Sequence, residues 1–486
     1  MSATNRSIIE EFVISSDRRD GYAEQTDQKG STSEFDLVPY VVSIEYFEDI
    51  FSPAITMKVT ILNESQVVKD LSEESTEGDE LVALFDGFPI RGGERCKIKI
   101  GANTETNIPL DFSTKVNDYL YITSITNILR DSKREMFTLH LTSREALTNE
   151  TERCYKKYSP NQNIGATVTN ILKDTLKIED QDRIEVELTS NSYGFIGNMR
   201  KPFPVITWLA KKSVSNSAKG KSAGFLFYQT KTGFKFKSVD TLMRQEYYKI
   251  TNSNGDKEKS PPFYYEEATV AYDDQDRPLN NDFKILKFSI QVSNDIVKNL
   301  KLGVYATSGM YFNPYNFEFK GNVYKRKDAL KEDNMSLMGS ENPADYPLKL
   351  NADSDDTIED TASRILTGVL DIGVLARGDT NHLKSSDPLQ FQMQSVTRYN
   401  TLFTNVLDMT IPLNSNLEVG MCVECEFPKM SKELVRDGGK MSGPYIIKEL
   451  CHHYDIEKSY TSMKLLRDFA GDNPGRESGT GTEGEE

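Results

Sequence analysis

In several stretches of this chain, apolar side chains return at every second residue, and that period limits what the chain can build. Met57, Val59 and Ile61 alternate with Thr56, Lys58 and Thr60; Phe137, Leu139 and Leu141 alternate with Thr138, His140 and Thr142. A period of two puts one set of side chains on each face of a strand, so these segments are half-buried antiparallel strands. Val42, Ile44 and Tyr46 form an earlier strand and Ile98 with Ile100 another, so residues 37–155 are expected to form a first β-barrel. Strands resume at 283–292 and 302–306, and again at 421–427, 445–453 and 460–466. Residues 246–324 and 389–470 are therefore expected to close a second barrel.

Between these regions the period changes. Ile164, Val168, Ile171, Leu172 and Leu176 fall at helical spacing. A second helix follows Pro204, since proline suits a first helical turn, with Ile206, Leu209 and Ala210 on one face. In FLFYQTKTGFKFKSVD (225–240), two aromatic-rich strands flank Lys231-Thr232-Gly233, which has hairpin turn chemistry. Phe225, Phe227, Phe234 and Phe236 are expected to share one face of that hairpin and pack on the helix of Trp208 and Leu209. The fold class is thus mainly β with a smaller α/β unit: two antiparallel β-barrels joined by a central α/β domain at 156–245. Residues 1–36 are expected to be a flexible arm. Residues 325–388 are expected to be an insertion or long loop with a short helical stretch at 358–370, and residues 471–486 a disordered acidic tail.

Composition removes several function classes. The 486 residues suffice for about three domains. The 58 Lys+Arg stand against 74 Asp+Glu, and a formal charge of −16 is the opposite of a nucleic-acid-binding footprint. No apolar run approaches the ~20 residues of a membrane span, so no membrane contact is expected. The N-terminal twenty residues lack the cationic and apolar regions of a secretory signal. Five cysteines (96, 154, 422, 425 and 451) in a chain this long do not make a disulfide framework, and reduced thiols are expected.

Motifs that imply chemistry fail on inspection. Gly220-Lys221-Ser222 imitates the end of a phosphate loop, but Ser215 stands where that loop needs glycine, and a strand follows instead of a helix. Cys422 and Cys425 lie three apart in a strand and point to opposite faces, so they cannot share a metal; Cys451, His452 and His453 supply no second ligand pair. Asp353, Asp355 and Asp356 begin like a calcium loop, yet Ile358 and Arg364 occupy the glycine and glutamate positions. No G-x-S-x-G occurs, and neither His140 nor His382 is nominated for a triad. No catalytic, cofactor-binding or metal residue is assigned, and no enzyme activity is expected.

Taken in order, the pieces resemble one family. VSIEYFEDIFSPAITMKVTILNES (42–65) looks like the first hairpin of phage tail-tube-type domains, and FPIRGGERCKIKI (88–100) like the turn and strand after it. The unit from Pro202 to Phe236 is similar to the middle domain of central baseplate hub proteins of contractile-tailed phages, particularly those infecting cyanobacteria. The stretch SVTRYNTLFTNVLDMTIPLNSNLEVGMCVECEFPKM with SGPYIIKELCHHYD resembles their closing barrel. The resemblance implies a structural virion protein of the tail baseplate, assembled in the host cytoplasm. It implies a homotrimer whose six barrels adapt the hexameric tail tube to the trimeric spike and line part of the DNA conduit. Tail tube protein, spike protein and baseplate wedge proteins are the implied partners, with no specific nucleic-acid binding. The alternative is a tail-associated cell-wall hydrolase. The corner EYFEDIFSP groups Phe47, Phe51 and Ile55, which are expected at or near subunit or tube contacts. The acidic balance leads to the further expectation of an acidic conduit wall that releases a polyanion.

Overall fold

The computed structural model of the chain describes residues 6–16, 33–64, 68–69, 81–87, 90–104, 107–131, 133–217, 221–251, 257–266, 281–293, 295–314, 317–332, 335, 337–338, 349, 353, 356–370, 388–428 and 441–469. The expected tail at 471–486 lies outside them.

The first half is built from β1 (Ile9–Ser16), β2 (Ser33–Asp36), β3 (Val41–Asp49), β4 (Thr56–Asn63), β5 (Arg95–Ile100), β6 (Leu120–Arg130) and β7 (Glu135–Ser143). The alternating residues are the buried ones: Ile44, Tyr46, Met57, Val59, Ile61, Phe137, Leu139 and Leu141 face a core that β5 covers with Cys96, Ile98 and Ile100. Residues 9–16 and 33–36 depart from the flexible arm expected there. Phe12 and Ile14, two residues apart, are fully buried in the same core, and β1 pairs with both β2 and β5. That pair of side chains is a short period-two signal beside a long polar run.

The central unit holds α1 (Ile164–Asn170), β8 (Ile184–Val186), α2 (Pro202–Ala210), β9 (Phe225–Thr230), β10 (Gly233–Ser238) and α3 (Val239–Arg244). Its core joins Ile164, Val168, Leu172 and Leu176 to Phe225, Phe227, Phe234 and Phe236. Phe203 of α2 meets the hairpin, with ring centroids 5.7 Å from Phe227 and 6.0 Å from Phe234. Trp208 turns aside to pack edge-on against Tyr193 and Phe195. Strand β9 is buried on both faces. Its alternate residues Leu226 and Tyr228 enter the core of the second half, so this one strand separates two cores.

The second half contains β11 (Phe263–Tyr264), β12 (Lys287–Ser293), α4 (Ile296–Leu302), β13 (Ala306–Asn313), β14 (Glu318–Lys325), α5 (Arg326–Lys331), β15 (Arg364–Val369), α6 (Gln392–Thr401), β16 (Asn405–Pro412), β17 (Cys422–Glu426), β18 (Gly443–Asp455) and β19 (Ser459–Arg467). Two expectations change here. Residues 296–302, of which only Leu302 falls in an expected strand, are a helix: Asp295 accepts from the Lys298 N–H at 3.0 Å, and Gly303, at φ 74°, ends it. Residues 364–369, given a helical possibility, form a strand paired in parallel with β13. The sheet β14-β13-β15 is separate from the main one, so the insertion is broader than residues 325–388 and includes β13.

The main sheet has fourteen strands and runs through both halves in the order β12-β16-β19-β18-β3-β4-β7-β6-β5-β1-β2, with β17 on β18, β11 on β17 and a two-residue strand, Leu110–Asp111, on β5. The order β3-β4-β7-β6-β5 repeats in β12-β16-β19-β18-β17. The match extends to detail. Ile122 opposes Leu141 and Ile447 opposes Leu465, and each is followed by a bulge. Gly93, at φ 93°, donates its N–H to the Ile122 carbonyl; Gly420, at φ 83°, donates its own to Ile447. Both turns need a backbone that only glycine adopts freely. The two halves thus share one strand order, one bulge and one glycine turn.

Truncating a core ring tests this packing. Phe236→Ala should lower stability by about 3–5 kcal/mol, whereas Phe319→Ala, on an exposed strand, should stay within about 0.5 kcal/mol. Urea melting of both variants measures the contrast.

Candidate assembly surface

The face of the main sheet opposite the cores is lined mostly by polar side chains. Thr56, Lys58 and Thr60 of β4, Thr138 and His140 of β7, Asp408 and Thr410 of β16, and Ser462 and Lys464 of β19 all alternate with core residues. A groove of about 830 Å³ follows this face across the joint between the halves, with Phe47, Lys58, Lys287, Glu449, Cys451 and Lys464 in its lining. The charges are mixed. Lys464 lies 3.4 Å from Glu449, Lys448 3.6 Å from Asp49, and His453 3.8 Å from Glu45. The chain's negative excess is thus not concentrated in this groove.

The three residues expected at contacts have different fates. Phe47 is half-buried at the groove with the Lys58 ammonium 5.2 Å from its ring. Phe51 is 41% exposed, stacked on Phe403 at 5.8 Å. Ile55 is buried in the first core. The corner between β3 and β4 is where the three cores meet: Ile50 enters the second core, Ala54 packs against the central one, and Ile55 fills the first. A corner with large apolar groups was legible as a contact surface, but the contacts that Ile50 and Ile55 make are within the chain.

A buried charged cluster fastens the same place. One oxygen of Glu48 accepts from the Lys231 backbone N–H at 2.8 Å and the Tyr46 hydroxyl at 2.7 Å; the other accepts from the Val419 N–H at 3.0 Å. The Lys231 ammonium donates to the Ser415 carbonyl, and Lys235 lies 3.2 Å from Glu418. These contacts tie the β9–β10 turn to β3 and to the loop before β17. Burial, reinforced by the Glu418 carboxylate, pushes Glu48 up to about 7, although Lys231 and the Val419 N–H act against it. Burial also holds His452 neutral; it stacks on Tyr46 at 6.0 Å with Nδ1 2.9 Å from the Thr461 hydroxyl. Nothing in the sequence signalled this cluster, since Glu48, Lys231 and Glu418 lie far apart along it.

Among the described residues, the rejected motifs do not assemble into sites. The five thiols are free and buried, and no group of metal-ligating side chains gathers among the described residues. Ser215 is buried against Glu187 at 2.7 Å. His140 meets the Thr126 hydroxyl at 2.8 Å. Gly220, Asp355 and His382 lie outside the described residues. No described helix is long and apolar enough to cross a membrane.

No family model and no curated protein matches the chain. Solved structures that resemble it include tail proteins, two of them from prophages, and a component of a type VI secretion system. A tail protein from Neisseria meningitidis is 10% identical with a TM-score of 0.44, covering 94% of this chain and 97% of its own. A 43 kDa tail protein of prophage MuSo2 from Shewanella oneidensis is 9% identical with a TM-score of 0.46, covering 96% and 100%. An E. coli type VI secretion component, described as similar to the T4 tail proteins gp27 and gp5, is 9% identical with a TM-score of 0.39, covering 90% and 76%.

The raised Glu48 gives a signed pH dependence. Its folded value lies above the ordinary 4.5, so its contribution is fully present below pH 4.5 and is lost as pH rises to 7. Against wild type, Glu48→Gln should therefore gain relative stability across pH 4.5–7 and level off above it. Paired urea melts at five pH values read the slope; a flat difference would place Glu48 near its unfolded value.

Proposed function

We propose that this chain is a structural component of a phage tail, a baseplate hub in which three copies close a ring of six equivalent units around a conduit. The single observation that carries the proposal is the repeated strand order with one joint filled and its counterpart open. Within the chain, β18 of the second half pairs with β3 of the first, over Glu449–Asp49 to Asp455–Ser43. The matching strands are β6 and β12. Among the described residues, no strand pairs with residues 123–129 of β6 on the side away from β7, and none pairs with β12 on the side away from β16. Both edges expose apolar groups: Ile128 and Leu129 on β6, Ile290 on β12 and Leu286 just before it. Ile290 holds the place of Tyr46, which the filled joint buries completely. Exposed, complementary strand edges are templates for pairing with another chain. Repeating the internal joint between copies is head-to-tail, and a head-to-tail interface closes as a ring when its rotation permits.

The number three, and the roles of tail tube, spike and wedge proteins as neighbours, come from the sequence resemblance. The mixed, mutually paired charge of the groove suits a wall that neither holds nor strongly repels DNA, because phosphate contacts require unopposed Lys and Arg. No catalytic constellation faces the groove among the described residues, and the hydrolase alternative has no observation in its favour.

The joint has a register. Thr126 occupies the place of Cys451 and Gln291 that of Phe47, a pair that face each other inside the chain. A chain with Thr126→Cys and Gln291→Cys should form covalent dimers and trimers on mild oxidation, while either single variant should not. Three chains by native mass spectrometry without this cross-link would keep the ring but move its joint; a strict monomer at high micromolar concentration would remove the ring. In a gel-shift titration near physiological salt, the protein should not retain duplex DNA at low micromolar concentration.

A further inference from the structure

The inserted sheet β14-β13-β15, which lies between β12 and β16, has two unlike faces. One is packed on α6. The Tyr311 hydroxyl donates to Gln392 Oε1 at 2.8 Å, and the Thr307 hydroxyl lies 3.4 Å from that of Thr397. Register sets the other face in three rows across the strands: Val369–Phe312–Phe319, Thr367–Met310–Gly321 and Ile365–Ser308–Val323. None of these nine residues is charged. Phe319, Ile365 and Val369 are 65–72% exposed, and Met310 is exposed with them. An apolar sheet face is stable when a second layer covers it, and α6 supplies a layer on one side only.

The bare face complements itself. Carrying no charge, it neither repels a second copy nor selects a different partner by sign. It is high at one end, where the Phe312 ring lies 5.0 Å from Phe319 and 6.1 Å from Phe317. It is low at the other, where Ser308 sits between Ile365 and Val323. A twofold axis lying across the strands at the middle row sets the high row of each copy over the low row of the other. Phe312 then faces Ser308, Phe319 faces Val323, and each Met310 meets its counterpart with Thr367 and Gly321 leaving room on either side. The face presents roughly 600 Å² of apolar surface, the upper end of what a monomer's largest patch shows. Two such faces together remove about 1,200 Å² from water, which reaches the lower bound of a specific interface. We propose that two copies of this chain stack sheet on sheet through this face, ~10 Å apart, in a reversible isologous contact. The contact uses neither β6 nor β12, so it is independent of the ring.

Sedimentation of the full chain from low to high micromolar concentration should show pairing that Phe319→Asp with Ile365→Asp weakens at least tenfold, the melting midpoint of dilute protein staying as in wild type. A short bis-maleimide should join Met310→Cys to its own copy, since the five native thiols are buried, and should not join Lys320→Cys on the opposite face. This second readout adds no charge to the face, so it decides the matter if the aspartate variant fails to fold. No cross-link through Met310→Cys at high micromolar concentration overturns the proposal; a three-chain species without that cross-link keeps the ring and removes the stack. Pairing with no three-chain species does the reverse. A direct disulfide through Gly321→Cys also overturns it, because stacked backbones lie beyond the ~7 Å such a bond spans and only edge-to-edge pairing of β14 brings them closer. A side chain is tolerated at that glycine, where a Cβ meets the Gly309 carbonyl at 3.4 Å. Flotation with phosphatidylcholine–phosphatidylserine vesicles that the aspartate variant loses would make the occupant a lipid surface and overturn the proposal too.

Discussion

Seven paired backbone positions, Ser43–Asp49 against Asp455–Glu449, hold the molecule together. Without them the two matching halves would be separate β units with their own free edges. With them the sheet is continuous, the groove has a floor, and Tyr46, Tyr454 and His452 lose all or nearly all contact with water. The β3–β4 corner can then send Ile50 into one core and Ile55 into another, since its two strands belong to the same surface as β18. The central unit closes against this joint through the β9–β10 turn, whose Lys231 backbone N–H meets Glu48. Burying carboxylates and ammonium groups there is costly, and removing one partner would leave the rest uncompensated. The cluster therefore fixes where the central unit sits more than how tightly it holds.

The contrast between filled and open edges supports the assembly argument. At the filled joint, aromatic side chains at the core-facing positions are buried; at the open edges Ile290, in the place of Tyr46, is exposed, and so are Ile128 and Leu129 of β6. Natural sheets usually blunt such edges with lysine, proline or a bulge. Here β6 carries a bulge at Asn127, at φ 54°, yet keeps Ile128 and Leu129 beyond it. A strand meant to remain an edge would not be expected to keep them.

Much of this architecture was legible, because it rests on local periodicity. The strands around Met57 and Phe137, the helix from Ile164 and the aromatic hairpin at Phe225–Phe236 all follow from spacing alone. The helix at 296–302 announced itself through Asp295 and Gly303, a cap at each end, but its short apolar run fell between the strands expected at 283–292 and 302–306 and was given no element. Phe12 and Ile14 were outweighed by the polar residues after them. The repeat was not legible, since its signature is a strand order and two glycine turns, Gly93 and Gly420, embedded in sequences that share little else. The site was only partly legible: the corner at Phe47–Ile55 stood out as a cluster of large apolar groups, but which side chains stay inside the chain depends on long-range pairing that no local pattern encodes.

Covalent linkage of the two halves bears on how a ring would be populated. If six like units were separate chains, all six joints would depend on encounter and on protein concentration. Here every second joint closes as the chain folds, with its two strands held at the high effective concentration of one molecule. In such a ring only the β6–β12 joints would remain to be met by diffusion, and an open intermediate would always end in a β6 edge at one end and a β12 edge at the other. Growth would then be directional, with a single kind of encounter to get right, and dilution would threaten half the seams of the ring and spare the rest.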